Sequence, residues 1–327
     1  MLSLRRGTVS GIGERNEGLV RLEVDGRPCI AYPRLTGPVA LGDEVLVNVQ
    51  ALELELGSGG FDVLYANLTR GLDLPADEGA HVMKLPYTPG QLARMHAEER
   101  ADLPASLEGM PIVATSLHSQ LVPACAALAG ESVAYVQLAG GALPVSYSDA
   151  VRALKQRGLL ELTIGVDACF DGDVDCVNAY SALLVARDRG ARIAVCGIGP
   201  GVIGTGTRLG HGGMAAAYAI HAAHVLGGQP VLALRLSERD ARERHLGLSH
   251  HSEAVLDVSG DACRIAWPRG CPIEHAVRER ADAVDVSDWT EACADLPLSH
   301  MGRGPDDDPW FFAAAFAAGR LAKSLLT

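Results

Sequence analysis

Three groups of residues in this 327-residue chain are of types, and at spacings, that could do chemistry. The first is the run Cys196-Gly197-Ile198-Gly199-Pro200-Gly201-Val202-Ile203-Gly204-Thr205-Gly206-Thr207, in which Gly199, Gly201 and Gly204 form G-x-G-x-x-G. It lies between a predicted strand and a predicted helix. In that setting backbone N–H groups can surround a phosphate, with the Thr205 hydroxyl adding a donor. The same glycines also suit a purely structural turn. A nicotinamide or flavin dinucleotide fits less well, because the run follows the fourth apolar segment of its unit and no acidic residue stands about 20 residues further on.

The second group is Asp167, Asp171, Asp173 and Asp175, four carboxylates in nine residues. Oxygen-rich loops suit hard cations, so Asp171 and Asp173 are candidate ligands of a divalent ion, magnesium first. The alternative is structural: Asp173 caps a following helix and Asp175 sits in its first turn. The third group is imidazole. His118 and the pair His250-His251 follow two different apolar runs, and the stretch before the pair holds Arg242 and Arg244. Imidazole can carry protons near neutral pH and guanidinium suits carboxylate or phosphate, so His118 and His251 are the candidate acid–base residues. His221 and His224, one turn apart in a predicted helix, read as packing residues. No H-E-x-x-H, G-x-x-x-x-G-K-[ST] or G-x-S-x-G occurs, which removes the usual support for zincin, P-loop and serine-hydrolase chemistry.

The elements that must position these residues follow from patterning. From Leu4 to about Leu68, short alternating runs are separated by turn residues such as Asp25-Gly26 and Gly42-Asp43, which predicts hairpins closing a small β-barrel over 1–68. Residues 69–109, with Pro75, Pro86, Pro89 and Pro104, read as a connector holding one short helix near Gln91 to Arg100. From Met110, apolar runs (111–115, 132–138, 160–166, 192–196, 230–236) alternate with helical spacing at 148–157, 173–189 and 211–226. That alternation predicts a Rossmann-like or flavodoxin-like α/β domain over 110–327 with about five mainly parallel strands covered on both faces. Ligands bind outside the carboxyl ends of such strands, where His118, Gly140-Gly141, Asp171, the glycine run and His250-His251 all fall. Asp308-Pro309 opens a final helix, apolar on nearly every side, that must be buried in the domain or in a dimer interface.

Composition bounds the partners. With 28 Lys+Arg against 40 Asp+Glu, a net charge of −12 and no long basic run, nucleic-acid binding is excluded. No apolar stretch reaches the ~18 residues of a membrane span and no signal-peptide pattern opens the chain. The eight cysteines are scattered without C-x-x-C, so reduced thiols and a cytoplasmic location are expected. A homodimer built on the apolar Trp310–Leu325 helix is the expected association state.

The segments Val82-Met83-Lys84-Leu85-Pro86-Tyr87-Thr88-Pro89, Gly199–Thr207, Ser249-His250-His251, Met301-Gly302-Arg303-Gly304 and Asp308-Pro309-Trp310-Phe311-Phe312 resemble an uncharacterised bacterial family, known only as a domain of unknown function. The resemblance spans nearly the whole chain and brings no activity with it. From the residues, the expected function is an enzyme acting on a phosphorylated or nucleotide-like small molecule. The alternative is a non-catalytic metabolite sensor using the same pocket.

Overall fold

The computed structural model describes residues 2–54, 59–70, 74 and 77–326; Pro75 of the expected connector lies outside them. The chain divides into two compact units, Met1–Met95 and His96–Thr327.

In the first unit, strands β1 (Leu4–Arg15), β2 (Val20–Val24), β3 (Arg27–Ala31), β4 (Glu44–Asn48) and β5 (Asp62–Asn67) close a barrel in the order β1-β2-β3-β5-β4. Alternation does the work in β2: Val20, Leu22 and Val24 point into the core with Val9, Val45, Val47 and Leu64, while Glu23 faces out. Asp25 and Gly26 both adopt positive φ, the requirement of a tight turn matching strand twist, and so join β2 to β3. Short helices α1 (Pro33–Thr36) and α2 (Gln50–Glu53) fill the connections. Of the helix expected near Gln91 to Arg100 only a single 3-10 turn, Ala97–Glu99, forms; the residues before it are strand β7 (Leu92–Arg94), paired antiparallel with β6 (Val82–Lys84). Pro86, Pro89 and the positive φ of Leu85 and Tyr87 turn the chain back, and strand pairing then overrides helix propensity.

The second unit is an eight-stranded parallel sheet. Its strands are β8 (Pro111–Thr115), β9 (Val133–Leu138), β10 (Leu162–Val166), β11 (Val174–Cys176), β12 (Ile193–Ile198), β13 (Gln229–Ala233), β16 (Arg264–Pro268) and β17 (Asp282–Val284); a small excursion, β14 (Leu236–Ser237) with β15 (Gly247–Leu248), follows β13. The order is β11-β10-β9-β12-β8-β13-β16-β17. The chain leaves β8 to one side for β9, β10 and β11, returns to insert β12, then crosses to the other side for β13. That reversal beside β8 is where open α/β sheets form their binding crevice.

Five of the strands are the expected apolar runs. The other three are β16, of five residues, and the edge strands β11 and β17, of three residues each. The helical spacing expected over 173–189 is divided between β11 and α5 (Ala179–Asp188), which is capped by Asn178 rather than Asp173. Helices α5, α6 (Ala215–Val225) and α7 (His250–Ser259) pack on one face of the sheet, and α3 (Leu121–Ala127), α4 (Asp149–Gln156), α8 (Trp289–Ala292) and α9 (Pro309–Ser324) on the other. Helix α9 is buried within its own domain through Phe311, Phe312, Phe316 and a run of alanines, so a homodimer would have to use another surface. Among the described residues no helix is long and apolar enough to cross a membrane.

Helix α9 approaches α3 so closely that a Cβ on Gly319 would sit 2.3 Å from the Ala124 carbonyl oxygen. Alanine is the better helix former by about 1 kcal/mol, yet the clash is with backbone and costs about 1–3 kcal/mol. Gly319→Ala is therefore expected to lower the melting temperature. An unchanged or raised value in a thermal melt would show that the helices do not meet this closely.

Candidate functional site

The glycine run leaves the end of β12 and crosses the loop that leaves β9. A Cβ on Gly199 would lie 2.1 Å from the Ala142 carbonyl oxygen, and one on Gly141 2.2 Å from that of Gly199. The Ala142 amide donates to the Pro200 carbonyl (2.8 Å) and the Ile203 amide to that of Gly140 (3.0 Å). Close backbone approach therefore explains Gly199. Further on, the loop folds upon itself: the Thr205 amide and hydroxyl both donate to the Gly210 carbonyl (2.9 and 3.0 Å), the Gly212 amide donates to that of Ile203 (2.7 Å), and Gly204 bridges to His211. Gly201 takes the positive φ of the turn. Thr205 is thus committed inside the loop, and the loop's product is the placement of His211, a residue with no conspicuous sequence signal.

His211 meets His250 and His251, the first two residues of α7, where Ser249 caps the helix by accepting the His251 amide. The His211 and His251 rings stack with centroids 3.9 Å apart; His250 lies 5.3 Å from His211 and 4.5 Å from His251, and His245 packs within 5 Å of both His250 and His251. One ring nitrogen from each of His211, His250 and His251 lies within 4.8 Å of the others, a spacing able to hold a metal ion. Nε2–H of His211 donates to the Arg208 carbonyl (3.2 Å), which fixes its tautomer. Its Nδ1 and the Nε2 of His250 are buried without a partner. Burial, reinforced by nearby arginines, keeps these rings neutral: His251 is pushed down to about 2 and His245 to about 3, with His211 and His250 lowered too.

Beside the histidines, Asp240 gathers three arginines. It accepts from Arg235 Nη2 (3.0 Å), from Arg242 Nε and Nη2 (both 3.0 Å) and from Arg303 Nη2 (3.0 Å). Arg303 also donates through Nε to Asp308 (3.3 Å), which accepts the Ser237 hydroxyl at 2.6 Å. Arg235, only 2 % exposed, reaches the His251 Nδ1 at 3.4 Å. Burial alone would raise the Asp240 carboxyl, but hydrogen bonds and charge from Arg242 and Arg235 hold it well below the usual carboxylate range. Burial in turn lowers Arg235 to about 10 against the pull of Asp240. His300, stacked on Phe311 at 3.9 Å, pairs through Nδ1 with Ser119 Oγ (3.0 Å).

The other sequence-predicted residues have different employment. His118, after β8, uses both ring nitrogens: Nδ1–H donates to the Ile198 carbonyl (3.0 Å) and Nε2 accepts from the Ser148 hydroxyl (2.7 Å), which itself caps α4. Burial lowers it to about 4. Asp171 adopts positive φ and accepts the Ser146 hydroxyl (2.8 Å). Asp173 accepts the amide and hydroxyl of Thr163 (2.8 and 2.9 Å) and the Lys155 ammonium, tying β10 to α4. Both aspartates follow β10, whereas the histidines follow β12 and β13, on the far side of β9. His221 and His224 are exposed, not packed in the core, and His221 Nδ1 meets the Tyr180 hydroxyl at 2.9 Å. A separate depression of about 660 Å³, lined by Glu274, His275, Ala276, Arg278 and Glu279, contains none of the predicted site residues.

Sequence reasoning reached His250, His251 and the Arg303 segment, but not His211, Arg235 or Asp240. Arg235 left a trace as the one charge within the apolar run 230–236. A family model described as a protein of unknown function, DUF3866, matches residues 28–319. No curated protein matches the chain.

Removing the Asp240 charge leaves three guanidiniums facing one another. Asp240→Asn is expected to cost about 3–5 kcal/mol in denaturant unfolding, against about 1 kcal/mol for Ser237→Ala; equal, small losses would contradict the network. His118 gives a pH test. Its folded value of about 4 lies below the ordinary 6.5, so the unfolded chain takes up this proton first. The stability it contributes is complete above pH 6.5 and is lost as pH falls towards 4, at up to about 1.4 kcal/mol per unit. Imidazole NMR should show His118 neutral at pH 5.5; titration near 6.5 would contradict its burial.

Proposed function

The chain belongs to the DUF3866 family, and we propose that it is an enzyme acting on a phosphorylated or nucleotide-like small molecule at the carboxyl ends of β12, β8 and β13. The observation that carries this reading is the charge balance there. Arg235, Arg242 and Arg303 share the two carboxylates of Asp240 and Asp308, leaving one positive charge uncompensated within the network. Arg235 is buried against the Asp240 carboxylate that the other two share. The Arg303 and Arg242 side chains keep 19 % and 37 % exposure, and their planar forks suit phosphate oxygens. Held by a shared carboxylate, these donors need little reorganisation when a phosphate gathers charge in a transition state, which is the most effective form of electrostatic catalysis. The folded glycine run walls the site with backbone.

His118 has no free nitrogen for proton transfer, so in this reading it holds the loop ends of β8 and β12 together, and the reactive step belongs to the histidines beside Arg235. One observation favours the sensor alternative: every histidine at the site with a shifted titration is shifted down, which weakens each as a general base.

A thermal-shift series of nucleotides, sugar phosphates and acyl phosphates, each beside its neutral counterpart, tests both readings. A phosphorylated ligand at a hundred times its Kd stabilises by about 2.7 kcal/mol, a rise of several degrees, and Arg303→Met should abolish the rise. Consumption of that ligand by mass spectrometry supports the enzyme, and binding without consumption supports the sensor. Equal shifts from neutral counterparts, or no shift at all, would overturn both.

A further inference from the structure

The histidine cluster asks for an occupant of definite chemistry. His211 is 7 % exposed, its Nε2–H is spent on the Arg208 carbonyl at 3.2 Å, and its Nδ1 therefore presents a lone pair to the cluster interior. That nitrogen has no hydrogen-bond partner, and neither has the buried Nε2 of His250. A nitrogen lone pair repels an anion, so the spot facing His211 suits a cation even though the arginine network alongside suits an anion. The arrangement in which one imidazole nitrogen donates to a backbone carbonyl and the other is left to coordinate is the usual state of a metal-ligating histidine. A bound ion would draw three imidazole nitrogens to about 2.1 Å from one centre and so about 3.4 Å from one another. The present separations of no more than 4.8 Å lie within reach of small ring rotations.

The geometry points to a divalent transition-metal site of the zinc class, built by His211 through Nδ1, His250 through Nε2, and His251. Soft-to-borderline ions prefer imidazole, whereas magnesium prefers oxygen, so this site differs in kind from the aspartate site expected from the sequence. Three protein ligands leave a fourth position open, the pattern of zinc sites that activate water or polarise a substrate oxygen. The open position adjoins the Arg235 network through the His251 contact at 3.4 Å. Metal retention does not depend on which ligand, if any, is turned over, so the inference stands or falls apart from the proposed substrate.

The test uses the full untagged chain, stripped with chelator, loaded with zinc, dialysed and analysed by inductively coupled plasma mass spectrometry, with cobalt(II) absorption as a second readout. About one zinc per chain is expected, with a cobalt spectrum of tetrahedral intensity. His211→Ala and His250→Gln should each weaken retention at least tenfold, while His224→Ala, at an exposed position on α6, should not. His250 is only partly buried, so its variant tests the site if His211→Ala fails to fold. Failure of the wild-type chain to retain zinc, or equal retention by His250→Gln and wild type, would overturn the inference and leave a buried water as the cluster's occupant.

Discussion

The Asp240 carboxylate is the point on which the carboxyl-end architecture turns. Three arginines from three separate stretches converge on it: Arg235 just past β13, Arg242 in the excursion that follows, and Arg303 in the segment before α9. Through Arg303 it reaches Asp308, at the start of α9, and through Asp308 the Ser237 hydroxyl of β14. Coulomb attraction at about 3 Å in a partly buried place is large, but so is the cost of desolvating the charges. Such a network is therefore better understood as fixing geometry than as adding net stability. What it fixes is the distance between the end of β13, the start of α7 and the start of α9.

That constraint explains why Asp308 does not cap α9 in the ordinary way. Its position before Pro309 suggests a cap, but its side chain makes no capping hydrogen bond and turns instead to Ser237 and Arg303. It also explains how neutral histidines coexist with arginines. Arg235 is compensated by Asp240, so His251 can lie 3.4 Å from it as an unprotonated acceptor. Two buried imidazole nitrogens without partners, His211 Nδ1 and His250 Nε2, would each cost about 1–3 kcal/mol if nothing occupied the space between them.

Much of the frame was legible in the chain. Long apolar runs such as 132–138 and 192–196 could only be central strands, and the Asp25-Gly26 turn announced its hairpin. The edges were not legible, because β11 and β17 are three residues long and an edge strand of that length has no periodicity to read. Asp173 misled because an acid before an apolar stretch looks like a helix cap, when the chain first makes β11 and then uses Asn178. In the site, His250-His251 stood out as a pair. His211 did not, since its partners lie about 40 residues away and only the folded glycine run brings it to them. The glycines were conspicuous for a phosphate fingerprint, yet the structure accounts for Gly199 by the Ala142 carbonyl packed against it.

The proposed metal lies at His211, His250 and His251, beside an arginine network suited to an anion, and not at Asp171 and Asp173. A crystal of the zinc-loaded chain measured on both sides of the zinc absorption edge tests that placement most directly. One strong anomalous peak about 2.1 Å from ring nitrogens of His211, His250 and His251 is expected. A peak at Asp171 and Asp173, or none at the histidines, would contradict it.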